Sequence, residues 1–262
     1  MKKIIGLLLL ACSWGTALYA DVQPELIWAG GALRLADESA PAYMAETFVS
    51  LGQMDTSYIF LDPTVFVKER DLGIDLGIGT RMPVLGGRAI AGYNLFFDYT
   101  TDNYHTRLGT GAEFYYQTFS AHLNVYLPIS DPHHGEEALP GIDATVGIPI
   151  PNAPFITVWP GAYYYNGNDR SDMKGFSLAV EARPVKALRL TLGGRNDAIE
   201  SGRNDRGEIF FKAMVMIPMD RLGQNIGDLF KFERGQYPVN VQTFLDHPVV
   251  REPFITYEHQ YR

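Results

Sequence analysis

Residues 106–127 read TRLGTGAEFYYQTFSAHLNVYL, and their alternation decides the fold. Leu108, Thr110, Ala112, Phe114 and Tyr116 share one face; Arg107, Gly109, Gly111 and Glu113 share the other. After Gln117 the pattern resumes. Phe119, Ala121, Leu123, Val125 and Leu127 alternate with Thr118, Ser120, His122, Asn124 and Tyr126. A period of two belongs to β-strands, whose successive side chains point to opposite faces.

The same alternation recurs along the chain. Leu72, Ile74, Leu76 and Ile78 oppose Gly73, Asp75, Gly77 and Gly79. Ile142 to Ile148, Phe176 to Ala182 and Leu188 to Leu192 behave alike. Two packed sheets would also alternate. The polar face here, however, mixes charges of both signs with small residues and glycine. That suits the lumen of a transmembrane barrel, where Arg and carboxylate pair across the interior.

Connection lengths point the same way. Tight links near Gln117, 151–154 and 184–187 alternate with longer polar ones at 100–104, 128–140, 167–173 and 198–206. Outer-membrane barrels alternate short periplasmic turns with long external loops in this manner. Strands are expected near 25–35, 45–53, 56–68, 72–80 and 87–98, then from about His105, Thr118, Gly141, Phe155, Lys174 and Leu188, and at 207–217. That makes about twelve, an even number, as bacterial barrels have. Residues 56–68 alternate poorly and contain Pro63. The fold expected is all-β: a transmembrane antiparallel barrel with a C-terminal linker or plug.

The N-terminus reads as a secretory signal, residues 1–20. Lys2 and Lys3 precede the apolar Ile4–Ala11, with small residues at Ala17 and Ala20 for cleavage. A rival reading takes Leu9–Cys12 as a lipobox with Cys12 lipidated. Cys12 is the single cysteine, so the exported chain has no disulfide to form. A net charge of −8 argues against nucleic acid as a partner. Beyond the signal no apolar run is long enough for a spanning helix. The barrel is expected over 21–218 and the linker segment over 219–262. In that segment Leu222, Ile226, Leu229 and Phe230 have roughly helical spacing, and residues 253–262 look extended. It would either return into the lumen or supply a closing strand.

Gly92-Tyr93-Asn94-Leu95-Phe96-Phe97-Asp98, followed by Arg107–Phe114, resembles the β-domain of inverse autotransporters, the intimin and invasin family. Residues 72–79, Asn124-Val125-Tyr126, Gly141-Ile142-Asp143 and 250–261 are similar to it in the same order. The resemblance implies a twelve-stranded outer-membrane barrel with a periplasmic N-terminus. It also implies a linker that runs back through the pore to an adhesive C-terminal passenger. The sequence stops at Arg262, where that passenger would begin, so no adhesive passenger of its own is expected, nor a periplasmic peptidoglycan-binding module ahead of the barrel.

The polar residues have plain readings. Arg107, Glu113, His122, Glu181, Arg183, Arg189 and Arg195 are expected to line the lumen and to pair there, because an unpaired buried charge is costly. His133-His134-Gly135-Glu136-Glu137 offers metal-ligand types without helpful spacing, and reads as a solvated outer loop. Ser120, His122 and Asn124 share one strand face, too far apart for a nucleophilic triad. Trp159, Tyr163, Tyr164 and Tyr165, with Tyr115 and Tyr116, read as girdle residues at the membrane interface. No catalytic residue, cofactor or metal is expected. Expected partners are outer-membrane lipid, the barrel-assembly machinery and surface ligands of the loops. The leading expectation is a translocator-type barrel without a passenger of its own, the second a small diffusion channel, the third a barrel-embedded enzyme.

Overall fold

The computed structural model describes residues 24–101, 104–167, 172–198, 207–221 and 226–259. Cys12 and the signal segment lie outside them. The strands are β1 (Glu25–Ala36), β2 (Ala42–Met54), β3 (Ser57–Lys68), β4 (Asp71–Val84), β5 (Ala89–Thr100), β6 (Thr106–Tyr116) and β7 (Phe119–Pro128). They continue with β8 (Glu136–Ala138), β9 (Gly141–Ile150), β10 (Ala153–Tyr165), β11 (Met173–Val185), β12 (Leu188–Ala198), β13 (Gly207–Pro218) and β14 (Tyr257–His259). Twelve of them close one antiparallel barrel in chain order, β1 sealing against β13 from Trp28↔Pro218 to Ala36↔Phe210. β8 and β14 pair separately.

The polarity is inverted relative to a water-soluble barrel. Outward residues are large and apolar: Leu76 is 54% exposed and Phe176 75%. Their inward neighbours are charged and buried, with Arg81, Asp98 and Arg107 at 0%. Only a surrounding hydrocarbon phase makes that arrangement stable, since the strands pair in a closed ring and the apolar side chains meet lipid. Among the described residues no helix is long and apolar enough to cross a membrane; the chain crosses with strands.

Tight links at 55–56, 117–118, 151–152 and 186–187, with the Leu85–Gly87 turn, share one rim. The longer connections share the other, except that β3 and β4 meet there through Glu69–Arg70 alone. Pro63 does not break β3. It pairs with Leu76 of β4, while the ladder to β2 steps from Glu46↔Thr64 to Val49↔Leu61, so its missing N–H falls in the gap. Gly77 and Gly79 are seats for aromatic rings. Phe96 and Phe60 stand directly across from them and fold over the strand, where a Cβ would collide with the ring. The glycines of β4 therefore admit rings into the lumen rather than leaving space there.

Among the described residues after Pro218 the helical spacing yields short 3-10 turns at Met219–Arg221, Ile226–Phe230 and Val241–Phe244, and Leu222 lies outside those residues. Nor does the segment close the sheet, because β1 and β13 already do. It runs along the short-turn rim: Ala187 N donates to Leu229 O (3.2 Å), Glu233 N to Pro184 O (2.9 Å) and Val239 N to Gln117 O (2.8 Å). Val241 then packs on Ile90 and Tyr115, and the chain turns into the lumen.

Candidate functional site

The lumen is where the polar side chains converge, and residues 244–256 occupy it. Near the short-turn rim Arg81 of β4 is the principal holder. Its Nε and Nη2 donate to Glu113 of β6 (2.9 and 3.0 Å), and Nη2 also donates to the Tyr115 hydroxyl (3.1 Å). Its Nη1 donates to the carbonyls of Phe244, Leu245 and His247 at 2.9, 2.7 and 2.6 Å. The guanidinium lies over the Phe60 ring (4.5 Å), which limits its freedom. Gly92 of β5 makes room for this pair, since a Cβ there would lie 2.7 Å from Glu113 Oε2. Trp28 Nε1 donates to Asp246 O (2.8 Å), and the Tyr58 hydroxyl to Asp246 Oδ1 (2.7 Å).

Further along, Asp62 accepts from Val249 N (2.8 Å), and Asn124 Nδ2 donates to Val250 O (3.0 Å). Arg251 then reaches the β4–β5 wall. Its Nη1 donates to Asp98 Oδ1 (2.9 Å), its Nη2 also bonds Asp98, and Asp75 Oδ2 stands 3.8 Å away. Asp98 simultaneously accepts from Arg107 Nε (2.7 Å). Arg107 repeats the device of Arg81: Nη2 donates to Glu252 O (2.8 Å) and Pro253 O (3.4 Å), and Nη1 to Phe254 O (3.1 Å). Two wall arginines thus hold the segment by its backbone, each steadied by a carboxylate behind it.

An apolar cluster of Trp28, Met44, Phe48, Phe60, Phe66 and Met214 receives Val249 and Phe254. At the long-loop rim Leu139 N donates to Thr256 O (2.9 Å), and β14 pairs with β8 from Tyr257↔Ala138 to His259↔Glu136. The loop read as a solvated polar stretch therefore contains a short strand that receives the segment. Among the described residues no group of side chains could hold a metal ion.

The segment is held chiefly by β3 to β7, with Trp28 of β1 also bonding it. The opposite wall faces a cavity of about 320 Å³, bordered by Arg34, Glu46, Glu181, Arg189, Glu208 and Lys212. The charges there pair: Arg34 with Glu208 (2.8 Å), Arg183 with Glu181 (2.7 Å), and Lys212 with Glu46 (2.7 Å). Arg189 stands 3.6 Å from Glu181, and Arg195 3.3 Å from Glu208. The expected lumen residues thus divide. Arg107, Glu113 and His122 stand on the occupied side, His122 edge-on to Tyr115 (5.2 Å). Glu181, Arg189 and Arg195 border the cavity, and Arg183 reaches across to His247 (2.5 Å).

A model of the inverse autotransporter β-domain matches residues 36–224. The chain belongs to that family. It is an outer-membrane β-barrel of the bacterial envelope. No curated protein sequence matches it. Among solved structures, it is similar to a membrane protein from work on in-meso crystallization, at 16% identity with a TM-score of 0.71, covering 89% of this chain and 100% of that one. It is also similar to the KdgM porin (8% identity, TM-score 0.52, 72% and 98% covered). A third likeness is an outer-membrane channel of Pseudomonas putida F1 (9%, 0.53, 77% and 98%). At these identities the likeness is one of fold.

In this inverse autotransporter β-domain the Gly92–Asp98 motif has a local reading. Gly92, Asn94, Phe96 and Asp98 face inward, and Asp98 anchors both Arg107 and Arg251. Tyr93, Leu95 and Phe97 face the membrane.

The girdle reading needs correction. Tyr115 is buried in the Arg81–Glu113 group. Tyr165 stacks on Tyr126 (6.1 Å), and Trp159 and Tyr163 border the cavity. From Thr157 to Tyr165 the register of β10 turns the odd positions inward, leaving Tyr164 outside. Arg81 was missed because it lies one residue beyond the expected end of its strand at Thr80. Its parity with Asp75 and Gly79 was the available signal.

Proposed function

We propose that this barrel is a translocator and anchor that leads its C-terminal segment through the pore to the cell surface and stays closed around it. The observation that carries this reading is the path of residues 238–259, from Gln117 at one rim to β8 at the other. The short-turn rim faces the periplasm, and the long-loop rim, with β14, faces outward. The barrel-assembly machinery inserts the chain, lipid surrounds it, and the outer loops are free to meet surface ligands. We assign it no catalytic role. Asn124 is committed to Asp143 and Val250, and Glu113, 3.9 Å from His122, is committed to Arg81, so neither orients His122 toward Ser120.

The cavity beside the segment favours one second reading, a small diffusion channel lined by Arg34, Arg189 and Lys212. Planar-bilayer recordings separate the two. The full chain is expected to be silent, and a chain ending at Pro218 to conduct steadily. Steady conductance from the full chain would establish the channel instead. Delivery is read independently by an epitope tag joined after Arg262. Antibody is expected to label intact cells, and labelling only after the outer membrane is permeabilised would refute the translocator.

A further inference from the structure

The rim portion of the C-terminal segment presents two large apolar side chains that its passage to the lumen does not need. Phe230 is 58% exposed and Phe232 65%, whereas Leu229 between the turn and the wall is buried. Phe232 forms an isolated antiparallel bridge to Val185 at the end of β11. Val185 pairs with Leu188, and Leu188 with Val215, an exposed residue of the lipid-facing band. Paired residues share a face, so Phe232 stands on the outward side of the wall, continuous with that band. Phe155 supports it edge-on at 5.3 Å.

The placement fills a deficit. At this rim the β6–β7 turn carries its own aromatics, Tyr116 and Phe119, and the β4–β5 turn carries exposed Leu85. The β11–β12 turn, Lys186–Ala187, has none. The segment lays Phe230 and Phe232 beside that turn, fastened by Ala187 N to Leu229 O and by Lys186 to Glu233 (3.0 Å). Lys231 pairs with Asp228 (2.6 Å), so the charges that accompany the rings are balanced, as suits the headgroup layer.

We infer that residues 229–233 form a membrane-interface foot, which inserts Phe230 and Phe232 into the phospholipid leaflet at the short-turn rim. Apolar rings flanked by polar backbone and paired charges are stable at that depth, and water would leave both rings solvated. The foot completes the rim's apolar girdle where the barrel strands do not. It also fixes the point from which the segment starts toward the lumen.

The test uses the full chain carrying Cys12→Ser, refolded in vesicles of phosphatidylethanolamine and phosphatidylglycerol. Phe230→Cys, Phe232→Cys and, as an aqueous control on the same rim, Asp55→Cys are each labelled with an environment-sensitive fluorophore. Retained heat-modifiable gel mobility certifies the fold of each. Labels at 230 and 232 are expected to be quenched by brominated lipid, with several-fold less quenching by aqueous iodide than at 55. Iodide quenching at 230 and 232 equal to that at 55, without quenching by brominated lipid, would overturn the foot. Neither result depends on whether the pore is closed.

Discussion

Asp98→Ala is expected to cost about 3–5 kcal/mol of folding stability in lipid, enough to prevent assembly or expel the C-terminal segment. Asp98 is fully buried and holds two guanidiniums, Arg107 from the wall and Arg251 from the segment. Deleting it leaves both buried cations without their shared carboxylate, with Asp75 3.8 Å from Arg251. The carbonyls of Glu252, Pro253 and Phe254 soften the loss for Arg107, but they are dipoles and do not replace a charge. The measurement is urea-titrated folding into vesicles, read by heat-modifiable mobility, with bilayer conductance alongside. Adding Arg251→Ala to Asp98→Ala removes one surplus cation and should recover part of the lost stability. It should not restore closure, because the segment then lacks the Arg251–Asp98 tie to the β4–β5 wall. A double variant no more stable than Asp98→Ala would show that Arg251 and Asp98 are not energetically coupled.

Leu95→Arg should cost about 2–4 kcal/mol by the same folding titration, through the lipid rather than the lumen. Leu95 lies midway along β5 and faces outward between Ile78 of β4 and Thr110 of β6. Its neighbour Asn94 faces inward and lies across from Gly111, which in turn pairs with Asn124. A guanidinium at 95 has hydrocarbon on every side and no carboxylate within reach. Native arginines of the lumen avoid that cost because each has a carboxylate beside it. A titration midpoint unchanged by Leu95→Arg would mean that this face of β5 does not meet the bilayer core.

Strand number, order of alternation and the sense of each face were legible in the residues. They rest on a local period of two, and a strand's two faces differ in chemistry as soon as one meets lipid and the other the lumen. Residues 106–127 show this alone: Arg107, Glu113 and His122 were expected inside and lie there, opposite outward Leu108 and Leu123. Boundaries were less legible, which is how Arg81 escaped notice and why β3 looked doubtful across Pro63. The aromatic residues of β10 were misread because Tyr and Trp suit an interface and a lumen equally well; register alone separates them.

The sequence by itself determined that this chain is an outer-membrane barrel, because lipid imposes a repeating pattern that each strand must satisfy separately; the inverse autotransporter type came from the resemblance carried by Gly92–Asp98 and Arg107–Phe114. The course of the C-terminal segment was decided only by the tertiary structure. Arg81 meets carbonyls more than 160 residues further along the chain, and Arg107 meets others nearly as distant. What these two arginines hold is backbone, which every residue possesses, so their contacts left no side-chain signature along the segment.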